Sequence, residues 1–166
     1  MRRRQVITGT AALAVLSGCA ADPKFLKYTG PDVTFVVVNK EARRMHLFHD
    51  NTLLRSYDIN LGFAPEGHKR FEGDGKTPEG LYRIDRRNPN SSFHLSLGIS
   101  YPNVNDYAAA KAEGKSPGGD IFIHGQKSPF KKDSVDWTWG CISVTNAEME
   151  EIYSMVKTGT LIKLNA

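Results

Sequence analysis

Short runs of β-branched and aromatic residues recur along this chain and constrain it to a mainly β fold. Thr34–Val38 reads Thr-Phe-Val-Val-Val, and Phe93–Ile99 alternates apolar with polar or small residues. A period of two places the apolar side chains on one face of a strand. The sequence predicts eight strands, at 34–38, 44–49, 53–59, 81–84, 93–99, 120–124, 141–144 and 160–164. We therefore expect a mainly β, sandwich-like domain built from two packed sheets.

Two short helices are expected among these strands. Asn105–Glu113 contains three consecutive alanines and is followed by Gly114. Thr145 and Glu148 have the spacing of a capping box, which begins a helix that Gly159 ends. Between Gly62 and Thr77, four glycines and many charged residues predict a long irregular loop. Loops of this length in a compact domain are usually functional.

The N-terminus has the layout of an export signal. Arg2–Arg4 precede a short apolar run, Val6–Leu16, which is too short to span a bilayer. The run ends in Leu-Ser-Gly-Cys at 16–19, which resembles the bacterial lipobox, where lipid is attached to the cysteine sulfur. The sequence predicts a lipoprotein signal peptide at 1–18, lipidation of Cys19, a tether at 19–31 and one domain at 32–166. An ordinary signal cleaved near residue 20 or 21 is the alternative, and the export route stays open between the general and twin-arginine systems.

The charge distribution gives no support for nucleic acid as a partner. The formal net charge is +4, but the first 18 residues contain three arginines and no acidic residue. The remaining residues carry 19 Lys and Arg against 18 Asp and Glu, so the mature surface is nearly neutral. We expect an exported protein that is held to a membrane by its N-terminal lipid and faces the periplasm.

Cys141 and His124 are the candidate catalytic pair. If Cys19 carries lipid, Cys141 is the one free thiol of the mature chain, in a compartment that oxidises thiols. His124 ends one predicted strand and Cys141 begins another, so the fold can bring the imidazole to the thiol as its general base. Gly140 lets a backbone N–H approach a substrate oxygen as an oxyanion donor. Asp136 or a backbone carbonyl near Gly125 would orient the imidazole.

The alternative interpretation is structural, with Cys141 as a small buried apolar residue and His124 as a strand-end histidine held by backbone groups. No metal site or cofactor is predicted. His46 and His49 are three residues apart on one strand and therefore lie on opposite faces. No Cys pair or His-Glu motif indicates zinc.

The motif around the two residues resembles a known family. His124-Gly125, a spacer and Thr138-Trp139-Gly140-Cys141-Ile142 are similar to the signature of the L,D-transpeptidase catalytic domain (YkuD) family. Thr77–Tyr82, which reads Thr-Pro-Glu-Gly-Leu-Tyr, agrees with the same family. Ser100–Asn103 and Gly118–Gly125 resemble its YafK-like murein branch.

The resemblance implies the YkuD fold and a cysteine-dependent L,D-transpeptidase that acts on peptidoglycan stem peptides through a thioester acyl-enzyme. An amine of a second stem, a lysine of an anchored wall protein, or water would then resolve the thioester. The alternatives are a hydrolase of related L,D amides, either a carboxypeptidase or an amidase, and a non-catalytic wall-binding module. Two departures leave the substrate open: Trp139 stands where many members have a second His, and Ser143 where many have Arg.

Several residues are candidates for substrate binding. Lys76, with Lys69 and Arg70, flanks the Gly-rich loop and could hold stem carboxylates as charge-assisted partners, or could be a solvated part of the loop. The full set of predicted substrate-binding residues is Trp139, Thr138, Asp136, Lys76, His94 and Tyr101.

Overall fold

The computed structural model describes residues 24–127 and 135–166. The predicted signal peptide and Cys19 lie outside these ranges. Within them, eight strands and two short helices are present, which confirms the mainly β class. The elements are β1 (Phe35–Asn39), β2 (Arg44–His49), β3 (Thr52–Asp58), β4 (Gly80–Asn88), β5 (Ser96–Ile99), α1 (Val104–Ala112), β6 (Phe122–His124), β7 (Ile142–Ser143), α2 (Asn146–Met155) and β8 (Leu161–Asn165).

The strands form one hydrogen-bonded series in the order β3-β2-β1-β8-β4-β5-β6-β7. β1 to β3 make the expected antiparallel meander, whereas β1 with β8 and β6 with β7 are parallel pairs. Beyond β3, Asn60 exchanges two backbone hydrogen bonds of 2.9 Å with Ser143 of β7. The two edges of the series therefore meet, and the sandwich-like layout arises from one sheet that curls around its core.

The core is built from one face of β1, β2 and β8, whereas β5, for which the sequence predicts a single apolar face, is buried on both faces. Val36 and Val38 of β1, Met45 and Leu47 of β2, and Ile162 of β8 are completely or almost completely buried. Their neighbours on each strand are only partly buried, so each of these strands turns one face to the core. This apolar layer fixes the register of β1, β2 and β8.

Two strand boundaries differ from the sequence prediction by three residues or more, and α2 ends at Met155 rather than just before Gly159. The expected strand at 93–99 begins at Ser96, because His94 has a left-handed backbone (φ 73°) and its ring pairs with Glu150 of α2. β4 continues past the expected Ile84 to Asn88, where it pairs with Ser96 of β5. Both helices have a complete capping box: the one at Thr145 and Glu148 was expected, and the one at Asn103 and Asp106 was not.

The described part of the predicted tether lies against the domain. Lys24 Nζ donates to the Pro89 carbonyl at 2.8 Å, and the Phe25 ring lies 6.3 Å from the Tyr153 ring. Tyr28 packs against the hydrophobic core. None of the helices in the described ranges is long and apolar enough to cross a bilayer.

Candidate active site

The pairing of β6 with β7 brings the two predicted catalytic residues together. His124 is in register with Ser143, so Cys141, two residues earlier, lies opposite Phe122. Neighbouring strands are about 4.8 Å apart and two residues rise about 6.6 Å, so the Cα atoms of His124 and Cys141 are diagonal neighbours about 8 Å apart. Residues two apart on a strand share a face, so both side chains point to the same side of the sheet. An imidazole and a thiol can bridge that separation.

Cys141 is partly exposed and is held by the backbone of the neighbouring strand. Its Sγ accepts from the Phe122 N–H at 3.4 Å, and its S–H donates to the Asp120 carbonyl at 3.5 Å. Burial raises the pKa of the thiol above its usual value, and the negative charge of Asp120 raises it further. The Phe122 N–H and the positive charge of Lys69 act in the opposite direction but do not reverse the shift. The resting group is therefore a neutral thiol at neutral pH.

His124 is buried, with 4% of its surface exposed, and its ring is fixed on three sides. Its Nδ1 lies 2.6 Å from the Gly125 carbonyl oxygen, which makes Nδ1–H the donor and leaves Nε2 as the basic nitrogen. The Phe93 and Trp137 rings pack on it, with centroids 4.6 and 5.7 Å away. Of the two predicted orienting groups, the structure thus places the carbonyl of Gly125, and not Asp136, at the imidazole.

The turn before Cys141 is closed by the side chain of Thr138. Its Oγ1 donates to the Cys141 carbonyl at 2.7 Å and accepts from the Gly140 N–H at 3.2 Å. The Gly140 N–H, which we expected to face a substrate oxygen, is therefore occupied inside the turn. Among the described residues the Cys141 N–H has no hydrogen-bond partner, which makes it the better placed oxyanion donor.

The Gly-rich loop packs directly beneath this turn. Gly140 has a φ of 117°, and a Cβ at that position would lie 2.5 Å from the Lys76 carbonyl oxygen. On the other side of the contact, a Cβ on Gly62 would lie 2.0 Å from the Gly75 carbonyl oxygen. Backbone meets backbone at both points, so glycine is required at both positions for the loop to support the turn that precedes Cys141.

A buried ion pair holds the loop in shape. Lys69 Nζ lies 2.9 Å from Asp74 Oδ1, and only 3% and 4% of the two side chains are exposed. Burial opposes ionisation of Asp74, but the N–H groups of Arg70, Lys76 and Phe71 together with Lys69 hold its pKa below the usual value. The solvated-loop interpretation is therefore wrong for Lys69.

Asp136 braces the segment that leads to Thr138 from a distance. Its carboxylate accepts three hydrogen bonds from Arg43, the shortest at 2.7 Å, and one from the Leu61 N–H at 2.9 Å. Arg43 lies in the β1–β2 turn, 93 positions away in sequence. Through these contacts Asp136 joins the segment before Thr138 to the β1–β2 turn and to Leu61.

The other predicted substrate-binding residues divide into one beside the thiol and three elsewhere. Trp139 is 71% exposed beside Cys141, and its ring packs edge-on against Phe63 at 5.0 Å. His94 Nε2 lies 2.6 Å from Glu150 of α2. Tyr101 is buried and its hydroxyl donates to the Pro117 carbonyl. Lys76 Nζ lies 3.3 Å from where a Cβ of Gly67 would be, within the loop.

Two cavities meet at Cys141. The first, which we call the histidine cavity, has a volume of about 300 Å³ and is lined by Phe93, Ser96, Asp120, Phe122, His124 and Cys141, among others. The second, the lysine cavity, has about 430 Å³ and is lined by Lys69, Glu72, Asp120, Ile121, Trp139 and Cys141, together with Gly73, Gly118 and Gly119. Cys141 and Asp120 form the wall between them, so a bound molecule could reach the thiol from either side.

Sequence reasoning missed most of the residues that shape these cavities and named only Lys69, as a possible partner of carboxylates. Phe93 and Trp137 enclose the imidazole, and Asp120, Lys69 and Glu72 line the cavities. For Trp137 a signal was available, because an aromatic residue lies four positions before the candidate nucleophile. Glu72 and Lys69 carry no local signal that separates them from the other charged residues of the loop.

A comparison with protein families and relatives agrees with this geometry. The family model of the L,D-transpeptidase catalytic domain, YkuD, matches residues 33–164. A protein of Escherichia coli (strain K12), named "Putative L,D-transpeptidase YafK", is 33% identical over 134 residues, which cover 77% of this chain and 48% of that protein.

Solved structures show the same fold. The helical cell shape determining protein Pgp2 of Campylobacter jejuni superposes with a TM-score of 0.64 at 28% identity, covering 87% of this chain and 52% of that one. An L,D-transpeptidase from Mycobacterium smegmatis has a TM-score of 0.55 at 16% identity, covering 82% of this chain and 60% of its own, and supports the fold alone. The chain spans about half the length of the curated relative and of Pgp2.

Proposed function

The chain belongs to the L,D-transpeptidase catalytic domain family, and from this premise we propose that it is a cysteine-dependent L,D-transpeptidase that acts on peptidoglycan stem peptides through a thioester acyl-enzyme. One observation carries the proposal. A partly exposed thiol stands between two cavities and diagonally across a parallel strand pair from a histidine whose basic nitrogen is Nε2.

The acylation step follows from the placement of these groups. His124 Nε2 takes the proton of the Cys141 thiol, and the thiolate attacks the carbonyl carbon between the third stem residue and the terminal D-alanine. The Cys141 N–H stabilises the oxyanion as the C–S bond forms. His124 then gives its proton to the nitrogen of D-alanine, the C–N bond breaks, and D-alanine leaves while the thioester remains.

The second step reverses this proton movement. An acceptor amine attacks the thioester carbonyl and loses a proton to His124, a new amide forms, and the thiol regains its proton from His124. A stem amine yields a cross-link, and a lysine of a wall protein yields an anchored protein. Water yields a shortened stem, which is the hydrolase alternative. The raised pKa of Cys141 fits a thiol that is deprotonated only when a carbonyl is bound.

We also propose that the protein is exported, lipidated at Cys19 and anchored in a membrane on its periplasmic side. The arginine-rich start, the short apolar run and the Leu-Ser-Gly-Cys ending support this placement. A role in cell shape is a further proposal, supported by the likeness to Pgp2, a protein described as helical cell shape determining.

Purified protein and defined disaccharide-tetrapeptides test the proposed function. Mass spectrometry should find a Cys141 adduct that lacks D-alanine, and dimers linked between diamino acids. Cys141→Ala should abolish the adduct, and His124→Asn should slow acylation by about 10³-fold or more, because nucleophile and base act as one unit. Glu66→Gln, an exposed change on the loop that does not line either cavity, serves as the control.

Three results would overturn the proposal. Unchanged activity in Cys141→Ala would exclude cysteine catalysis. Shortened stems without any dimer or protein-linked product would replace transfer by hydrolysis. Neither turnover nor labelling of Cys141 by a carbapenem-type β-lactam would leave a wall-binding module.

A further inference from the structure

Phe25 and Leu26 form an exposed apolar surface in the segment that leads into the domain. Their exposed fractions are 58% and 44%, and among the large apolar side chains exposed in the described ranges these two alone are consecutive in sequence. Lys24 and Lys27 flank them, so the segment reads Lys-Phe-Leu-Lys. Exposed apolar side chains between cationic ones are typical of a segment that lies at the surface of a lipid bilayer.

Contacts with the domain hold this segment on both sides of the apolar pair. Before the pair, Lys24 Nζ donates to the Pro89 carbonyl at 2.8 Å, and after it Tyr28 packs against the hydrophobic core. The Phe25 ring lies 6.3 Å from the Tyr153 ring of α2, yet more than half of its surface stays exposed. The apolar pair is therefore presented on the surface of the domain rather than on a free linker.

The two lysines leave positive charge beside the apolar pair. Lys27 is exposed, and its ammonium has no hydrogen bond or ion pair in the part of the chain that the structure describes. Lys24 donates to a carbonyl, which does not neutralise its charge. Asp22 is the one acidic residue at positions 20–31, so two lysines stand against one aspartate in the sequence there. This net positive charge favours an anionic lipid surface over a neutral one.

The proposed lipid on Cys19 brings a bilayer within reach of the segment, and the argument rests on that proposal. Five peptide steps separate Cys19 from Lys24, and a chain of that length spans at most about 18 Å. Phe25 and Leu26 are one and two steps further. A lipidated cysteine lies at the surface of the bilayer, which is therefore the extended apolar surface that the pair can contact.

We propose that the segment Lys24–Lys27 is a second membrane contact, in which Phe25 and Leu26 insert into the surface of an anionic bilayer. The ammonium groups of Lys24 and Lys27 lie at the lipid headgroups, where each is attracted by the negative surface. The attached lipid keeps the protein at the membrane, and this contact determines which side of the domain faces it.

The contact orients the candidate active site. Pro89, whose carbonyl accepts from Lys24, belongs to the connection between β4 and β5. Residues 91–93 of the same connection line the histidine cavity. Insertion of the apolar pair therefore holds this edge of the histidine cavity towards the bilayer.

Binding of the mature chain to vesicles, without its lipid, tests the contact by itself. Residues 19–166 with Cys19→Ser contain every residue that the structure describes. This protein is sedimented with vesicles of phosphatidylcholine, either pure or mixed with phosphatidylglycerol. Burial of the half-exposed apolar pair and attraction of two lysines predict a partition coefficient on the order of 10³ M⁻¹ for the anionic vesicles. The pure phosphatidylcholine vesicles should bind about tenfold less.

Two double variants separate the apolar part of the contact from the charged part. Phe25→Ser with Leu26→Ser should lower binding to the anionic vesicles at least about tenfold, because the inserted surface is gone. Leu26→Ser alone leaves the contact of Phe25 with Tyr153 in place and should show part of this loss. Lys24→Gln with Lys27→Gln should remove the preference for anionic vesicles and leave binding to neutral ones unchanged.

An exposed apolar pair elsewhere on the domain supplies the matched control. Val104 and Tyr107 of α1 are 84% and 57% exposed. Val104→Ser with Tyr107→Ser should bind both kinds of vesicle as the unsubstituted chain does. Urea unfolding of every variant verifies that each one is folded under the conditions of the binding measurement.

The outcomes separate this inference from the proposed function. Absence of binding to anionic vesicles at millimolar lipid would overturn the membrane contact while leaving the lipidation and the transpeptidase intact. An equal loss of binding in the α1 variant would assign the binding to apolar exposure in general and overturn the role of the segment. An intact mass of the native protein without lipid on Cys19 would refute the proposed anchor itself, whatever the vesicles show.

Discussion

Replacement of Thr138 by valine isolates the hydroxyl that closes the turn before Cys141. The side chain is 3% exposed, and its Oγ1 makes two hydrogen bonds, to the Cys141 carbonyl at 2.7 Å and from the Gly140 N–H at 3.2 Å. Valine keeps the branched shape but makes neither bond. The backbone hydrogen bonds of Thr138, to the Leu61 carbonyl and from the Phe63 N–H, remain in place. The change therefore tests the turn rather than the attachment of the segment.

The magnitude follows from these two bonds. Each contributes about 1 kcal/mol net, and a buried N–H or C=O left without a partner costs about 1–3 kcal/mol. We expect Thr138→Val to lower the free energy of unfolding by about 2–4 kcal/mol. Serine keeps the hydroxyl and loses one methyl group, which costs about 1 kcal/mol. The difference between the two variants is the contribution of the hydroxyl.

The acylation rate of Cys141 should differ between the valine and serine variants in the same direction as their stability. A nucleophile misplaced by about 1 Å can lose about 10²-fold in rate, so Thr138→Val should lower the acylation rate of Cys141 at least about tenfold. Thr138→Ser should stay within about threefold. Urea unfolding measures the stability, and intact-mass acylation measures the rate. A valine variant as stable and as active as the serine variant would refute the reasoning, because the hydroxyl would then not hold the turn.

Three further predictions concern the same site. Asp120 raises the pKa of Cys141, so Asp120→Asn should move the pH midpoint of Cys141 alkylation downward, as followed by iodoacetamide labelling. Gly140→Ala should destabilise the protein by about 2 kcal/mol or more in urea unfolding, since a φ of 117° and the Lys76 carbonyl both oppose a Cβ. Arg43→Met should leave Asp136 without its countercharge, which should lower the free energy of unfolding by about 1–3 kcal/mol.

Matched controls make these predictions decisive. Asp85→Asn changes an acid that pairs with the same Arg86 but is not among the groups that shift the thiol, so its midpoint should not move. Gly114→Ala replaces a glycine with a similar left-handed backbone (φ 68°) and open space around it, so it should cost less than Gly140→Ala. Arg43→Lys should retain part of the stability that methionine loses. Equal results for a variant and its control would contradict the corresponding argument.

Local sequence patterns predicted where the strands lie, because runs of β-branched and aromatic residues favour strands. They did not predict burial: β5 alternates in sequence but is buried on both faces, because neighbouring elements cover it on both sides. They also predicted that His124 and Cys141 meet, since one ends a strand and the other precedes one. The diagonal placement of Cys141 relative to His124 comes from the parallel register of β6 and β7, which no local sequence pattern contains. His94 shows the opposite case, because its left-handed backbone and its pairing with Glu150 depend on α2, 56 positions later in sequence.

The charged residues were the hardest part of the site to predict. Lys69 has the same local surroundings as any solvated loop lysine, yet it is buried, because Asp74 collects three backbone N–H groups and needs a countercharge. Tyr101 was expected to bind substrate, but its hydroxyl is used inside the core. For both Lys69 and Tyr101, the contact that decides the role of the side chain is made with a loop. Glycines and buried charges set the path of such loops, and neither produces a periodic pattern in the sequence.

The raised pKa of Cys141 bears on how its thiol would behave in the oxidising compartment that we propose for this protein. The sequence alone predicts loss of activity on peroxide treatment, with Cys141 as the modified residue. Peroxide reacts with the thiolate, and burial and Asp120 keep the thiolate fraction small at neutral pH. Inactivation should therefore be slow near pH 7 and accelerate as the pH approaches the raised pKa. In the proposed mechanism, the raised pKa protects the Cys141 thiol at rest and leaves its activation to His124 when a substrate carbonyl is bound.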